Sequence, residues 1–142
     1  MTSTLLLDNS AWVRLGDAAV PDDRAAELAA ALEAGSVAAC LPFLLEAGYS
    51  ARNARNHDGL MDELLALPYF HIDIDVERRA LDAQRQLARV GHHRLPPVDL
   101  LVAAIADRHE LAVLHYDGDY DLIAGKTDLS FSSEWLVPRG TL

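Results

Sequence analysis

The 142-residue chain has a single cysteine, Cys40, and a single lysine, Lys126. One cysteine excludes an intrachain disulfide and any zinc site built on thiolates alone. Basic residues number 12 against 22 acidic ones, for a formal net charge of −10. A protein that holds nucleic acid chiefly by neutralising phosphates carries the opposite balance. Any such contact must here be local, and the acids must have another task. No apolar run approaches the ~18 residues of a membrane-spanning helix. The start MTSTLLLDNSAW lacks the basic region of a signal peptide. The expectation is a cytoplasmic protein with no membrane association. Linkers, repeats and low-complexity segments are also missing, so the chain reads as one domain over 1–142. That length buries roughly 70% of the unfolded chain's surface, enough for a core without staples.

Short apolar runs alternate with longer helical patterns. The runs 4–7, 36–40, 69–74 and 111–116 read as strands, and 128–131 as a short edge strand. Residues 21–34 open on Pro-Asp-Asp and close before Gly35, which matches helix start and stop signals. Residues 41–54 read as a helix with Pro42 in its first turn, and 58–66 as a shorter one. In 75–91, Val76, Ala80, Ala83, Leu87 and Val90 share one helical face. The segment 96–110 is apolar round much of its circumference, as in a buried helix. Alternating strands and helices predict an α/β fold with a mostly parallel sheet.

Four acids stand out against that frame. Asp8 follows the first strand, and Asp117 follows the fourth after one aromatic residue. Glu46 lies inside PFLLEAGY and Asp99 between Val98 and Leu100, both among apolar neighbours. If each helix returns in a right-handed crossover, all four meet at the carboxyl edge of the sheet, where open α/β sheets bind ligands. Taken singly, each acid has a plain structural role. Asp8 and Asp99 suit helix N-termini, Glu46 suits a pair with Arg14, and Asp117 suits a turn in YDGDYD. Together they cannot all stay ionised without compensating cations. Hard divalent cations such as Mg²⁺ or Mn²⁺ take oxygen ligands. Such a site activates water and neutralises charge on a phosphodiester.

At these residues the chain resembles the PIN domain (PilT N-terminus) family, and within it the VapC-type toxins of VapBC toxin–antitoxin modules. LLLDNSAW supplies Asp8 and Ser10, PFLLEAGYSAR supplies Glu46, PPVDLLVAAIA supplies Asp99, and VLHYDGDYDLIA supplies Asp117, with Asp119 as a substitute or auxiliary. SEWLVPRGTL also looks like the C-terminus of such toxins. His115 stands where many members carry Thr or Ser, and Tyr120 replaces the usual Phe, a conservative change. The resemblance implies a three-layer α/β/α sandwich and Mg²⁺- or Mn²⁺-dependent endoribonuclease activity. It also implies a homodimer and a cognate VapB-type antitoxin.

Asp8, Glu46, Asp99 and Asp117 are therefore the expected metal ligands and catalytic acids, with Ser10 able to hold Asp8. Arg52 and Arg55, read as continuing the helix of Glu46, and Arg94 are candidate RNA contacts. Arg78, Arg85 and Arg89 read rather as a solvated helix face with pairs such as Arg78–Asp82. His92 and His93 read as surface residues. Cys40 reads as a small buried residue, and Trp12, Phe43 and Trp135 as core or dimer contacts. YDGDYD also resembles a calcium loop, but Leu122 stands where that loop needs glycine and Asp128 where it needs glutamate. Two other functions compete. A receiver-type phosphoacceptor domain needs a lysine beside its acids, and Lys126 falls in a predicted loop. A catalytically silent module that binds a partner protein would need no intact acid set.

Overall fold

The computed structural model describes residues 3–142. Five parallel strands form one sheet in the order β3-β2-β1-β4-β5. The central strand β1 (Leu5–Leu7) lies between β2 (Val37–Cys40) and β4 (Ala112–His115). Every residue of these three strands is buried, as expected of parallel strands covered on both faces. The outer strands β3 (Tyr69–Phe70) and β5 (Ser132–Trp135) are more exposed. The architecture is the α/β fold with a parallel sheet anticipated from the alternating pattern, with seven helices among the described residues.

The strand order reverses between β1 and β4. Chain leaving these neighbours diverges and opens a crevice at their carboxyl ends. After β1, the four-residue helix α1 (Asn9–Trp12) begins at Asp8, whose side chain accepts from the Ser10 amide. After β2, α3 (Leu41–Tyr49) begins at once, with Pro42 in its first turn. It buries Phe43, Leu44 and Ala47 and leaves Leu41, Leu45 and Tyr49 exposed. Before β4, α6 (Pro97–His109) is buried from Leu100 through Ala106 save Leu101, as its composition predicts. It ends on Glu110 at φ 56°, a left-handed residue that turns the chain straight into β4. Helix α2 (Asp22–Glu33) stops before Gly35 at φ 69°, where the sequence places its glycine.

Several boundaries differ from expectation. The helix expected over 41–54 ends at Tyr49, and α4 (Ala54–Leu64) starts earlier than the expected 58. Capping decides this: the Asn53 side chain accepts from the Asn56 amide at 2.8 Å, and the Asn56 side chain from the Arg52 amide at 3.1 Å. Arg52 therefore lies in the break and Arg55 in α4, so neither continues the helix of Glu46. Strand β3 is two residues long, because Asp73 caps α5 (Ile74–Arg89) by accepting from the Val76 amide at 2.9 Å. Val90 lies beyond the end of α5 and is exposed, whereas Val76, Ala83 and Leu87 are buried as expected. Asp82 pairs with Arg85, not Arg78.

The segment after β4, read from its Asp and Gly content as a turn, becomes helix α7 (Asp119–Lys126). A calcium loop is thereby excluded. Lys126 is helical, not in a loop, yet it sits seven residues along α7 from Asp119, a rise of ~10 Å, and so still cannot serve as a receiver-type lysine. The edge strand falls at 132–135 rather than 128–131. Gln86 of α5 holds Asp128 through both its backbone amide (2.8 Å) and its carboxylate (2.9 Å), so pairing with β4 begins only at Ser132.

Candidate metal centre

The crevice between β1 and β4 collects five carboxylates in two overlapping groups. Asp8, Glu46 and Asp99 present oxygens all within 4.8 Å of one another, and so do Asp99, Asp117 and Asp119. Asp99, in the first turn of α6, belongs to both. The four acids singled out in the sequence thus reach one place, and Asp119 joins them beside Asp117 rather than replacing it.

Local structure aims each side chain. Asp8 follows a strand whose backbone continues the sheet pairing, its amide donating to the Leu114 carbonyl at 3.0 Å. Its Oδ2 accepts from the amide and the hydroxyl of Ser10, and its Oδ1 accepts from the Tyr120 hydroxyl at 2.6 Å. The Ser10 hydroxyl in turn accepts from the Tyr116 amide at 2.9 Å, tying α1 to the end of β4. Glu46 lies one turn beyond Phe43 on α3, at the border between its buried and exposed faces. Asp117 Oδ1 accepts from the Asp119 amide at 3.0 Å, which starts α7.

The electrostatics oppose this arrangement in the absence of a cation. Asp8 and Asp99 are 4% and 6% exposed. Burial, followed by the fields of Asp8, Asp117, Asp119 and Glu46, pushes the Asp99 carboxyl up to about 8. Glu46 is raised by burial and then by Asp8 and Asp117. Asp119 is raised by burial and then by Asp117. Among the described residues no arginine, lysine or histidine pairs with any of the five. The expected Arg14–Glu46 pair is not formed. Arg14 donates to the Ser10 carbonyl at 2.8 Å and lies over the Tyr116 ring at 5.1 Å.

One atom gives the cluster its direction. Asp99 Oδ2 is buried without a hydrogen-bond partner, a state that costs free energy unless something absent from the protein itself compensates. All the converging donors are carboxylate oxygens, the set that hard divalent cations take. The residues present therefore fit such a cation.

Two supporting groups escaped the sequence reading. Tyr120, taken as a conservative replacement, puts its hydroxyl on Asp8 and within 3.4 Å of Asp99. His115 is fully buried, and burial lowers its pKa. Its Nδ1 accepts from the Asp117 amide at 3.1 Å, so the neutral ring carries its proton on Nε2, 2.7 Å from the Ser133 hydroxyl. Ser133 donates onward to Asp121 at 2.6 Å, which also accepts from the Trp135 indole at 2.9 Å. The sequence carries little trace of this chain, because the last strand is polar at three successive positions, Ser132 to Glu134. Arg52, Arg55 and Arg94 are exposed, outside the acidic cluster. Cys40 is fully buried at the end of β2, as expected, with its thiol pushed up to about 12 by burial.

Comparison with known proteins agrees with this geometry. The PIN domain family profile matches residues 5–126. Ribonuclease VapC51 of Mycobacterium tuberculosis is 43% identical over 142 residues, covering 100% of this chain and 99% of that protein. Ribonuclease VapC18 of the same organism is 40% identical over 139 residues, covering 96% and 97%. Among solved structures, DNA-bound VapBC from Salmonella typhimurium superposes with a TM-score of 0.73 at 16% identity, covering 96% of this chain and 100% of that one. A five-stranded parallel sheet, an acidic crevice, a matching family profile and relatives aligned over nearly their full length place the chain in the PIN domain family, among proteins named as VapC ribonucleases.

Proposed function

We propose that the chain is a Mg²⁺- or Mn²⁺-dependent endoribonuclease, the toxin of a type II toxin–antitoxin pair, acting in the cytoplasm as a single-domain homodimer. The carrying observation is Asp99: a buried carboxylate with one oxygen unpartnered, at the meeting point of two acidic triads. Asp8, Glu46 and Asp99 would hold one divalent ion, and Asp99 with Asp117 and Asp119 would help hold a second. When bound, such ions neutralise charge on a phosphodiester and lower the pKa of water.

The protein's own residues supply the rest. Ser10 and Tyr120 fix the Asp8 carboxylate, and His115 fixes the backbone that carries Asp117. Burial and the neighbouring acids raise Glu46 and Asp119 above their ordinary values, a strain that a bound cation would relieve. Arg52, Arg55 and Arg94 give the RNA backbone local positive charge on an otherwise acidic protein. A VapB-type antitoxin would find an apolar surface beside the acids, in a groove of about 370 Å³ lined by Leu41, Leu45, Tyr49, Ile72 and Glu46. Among the described residues no helix is long and apolar enough to cross a membrane.

The test is RNA cleavage by the purified chain with Mg²⁺ or Mn²⁺, with chelator, and in Asp8→Asn and Asp99→Asn. Cleavage should need the metal and vanish in both variants. Activity in chelator, or full activity in either variant, overturns the assignment. Growth arrest on expression without, but not with, the adjacent small open reading frame tests the toxin role.

A further inference from the structure

We propose that Tyr120 is a positioning residue of the metal centre, its hydroxyl fixing the orientation in which the Asp8 carboxylate faces the crevice. This rests on the metal-dependent reading above and adds a residue to it.

A carboxylate offers about four lone-pair sites. On Asp8, Oδ2 already accepts two donors from Ser10, and Oδ1 accepts one from Tyr120. The remaining site is therefore on Oδ1, shared between the phenol and whatever lies in the crevice. With Oδ2 held from one side and Oδ1 from the other, the carboxylate cannot rotate. The phenol has a single proton, committed to Asp8 at 2.6 Å, while its oxygen stands 3.4 Å from Asp99 Oδ1. One hydroxyl thus spans two repelling carboxylates and leaves Asp99 Oδ2 free.

The ring is as fixed as the hydroxyl. Tyr120 is fully buried. It stacks on His115 at 4.9 Å with planes 28° apart and meets the edge of Phe131 at 6.5 Å. His115 is anchored through Ser133 to Asp121. A phenylalanine would keep these ring contacts and lose only the hydrogen bonds. Outer-shell partners of this kind typically contribute a factor of 10–100 in metal affinity.

The experiment is Mn²⁺ titration by calorimetry of the metal-stripped full chain, wild type and Tyr120→Phe, beside the melting temperature without metal. The variant should keep the melting temperature within a few degrees and weaken Mn²⁺ binding by about tenfold or more. Its RNA cleavage should need correspondingly more Mn²⁺ for half-maximal rate and recover at saturating Mn²⁺. Unchanged Mn²⁺ affinity overturns the proposal, and so does a rate that stays low at every Mn²⁺ concentration. Wild type that takes up no Mn²⁺ overturns it together with the metal-dependent reading. A second measurement needs no variant: the ¹³Cζ resonance of Tyr120 should shift as Mg²⁺ is added, with the same midpoint as Mg²⁺ binding. A resonance indifferent to Mg²⁺ refutes the role even if Tyr120→Phe fails to fold.

Discussion

Replacing Asp99 by asparagine should stabilise the metal-free protein at alkaline pH while destroying its response to metal. The Asp99 carboxyl is held at about 8 against an ordinary 3.8, first by burial and then by the neighbouring acids. A group raised on folding contributes stability that is fully present below its unfolded value and lost as pH rises through its folded value. The window here runs from about pH 4 to pH 8. A shift of about four units at 1.36 kcal/mol each amounts to roughly 5 kcal/mol at pH 8, and at 6% exposure solvent screens little of it. Asparagine keeps the shape and never ionises. An unpartnered amide group offsets the gain by about 1–2 kcal/mol. Metal-free Asp99→Asn should therefore exceed wild type by roughly 3 kcal/mol in urea denaturation at pH 8, and lose that advantage near pH 4. Saturating Mn²⁺ should reverse the order. Metal at 1,000 times its Kd adds about 4.1 kcal/mol to a protein that binds it, more than the variant's advantage, and the variant lacks the shared ligand. An Asp99→Asn protein no more stable than wild type at pH 8 in chelator would refute the electrostatic argument. Equal stabilisation of both by Mn²⁺ would refute Asp99 as a ligand.

Other expectations follow from single contacts. Ser10→Ala removes a hydroxyl that donates to Asp8 and accepts from the Tyr116 amide; cleavage should fall by about tenfold and return in Ser10→Thr, and an alanine variant with wild-type rates would dismiss the residue. Arg24 donates to the carbonyls of Leu136 (2.7 Å) and Trp135 (3.0 Å) and to the Glu134 carboxylate (3.0 Å), clamping the last strand to α2. Arg24→Ala should cost about 2–4 kcal/mol in urea denaturation, and a loss under 0.5 kcal/mol would mean that the clamp is redundant. Arg52→Ala with Arg55→Ala should lower the slope of log affinity for single-stranded RNA against log salt by about 0.7 per lost phosphate contact; an unchanged slope removes both from the RNA path.

The sheet was legible because its strands are short apolar runs separated by helices of ordinary length, and burial on both faces leaves no other use for LLL or VAAC. The acids were legible for the converse reason: Glu46 and Asp99 interrupt apolar stretches, where a carboxylate is costly. What resisted reading was set by side-chain to backbone hydrogen bonds. Asn53 and Asn56 end the helix of Glu46 before 54 and start α4 before 58, Asp73 takes residues from a strand, and Gln86 displaces the edge strand by holding Asp128. Asp-Gly-Asp after β4 looks like a turn, yet Asp117 there starts a helix. Hydrophobic periodicity is blind to such bonds, since each needs only one polar side chain within a few residues or across the fold. The Tyr120 hydroxyl is the extreme case. From sequence, exchanging Phe for Tyr conserves an aromatic ring. In the fold, the added oxygen lands 112 residues away on Asp8, whose other oxygen Ser10 already holds. A buried phenol must find an acceptor, and here the acceptors within reach are the acids that need orienting.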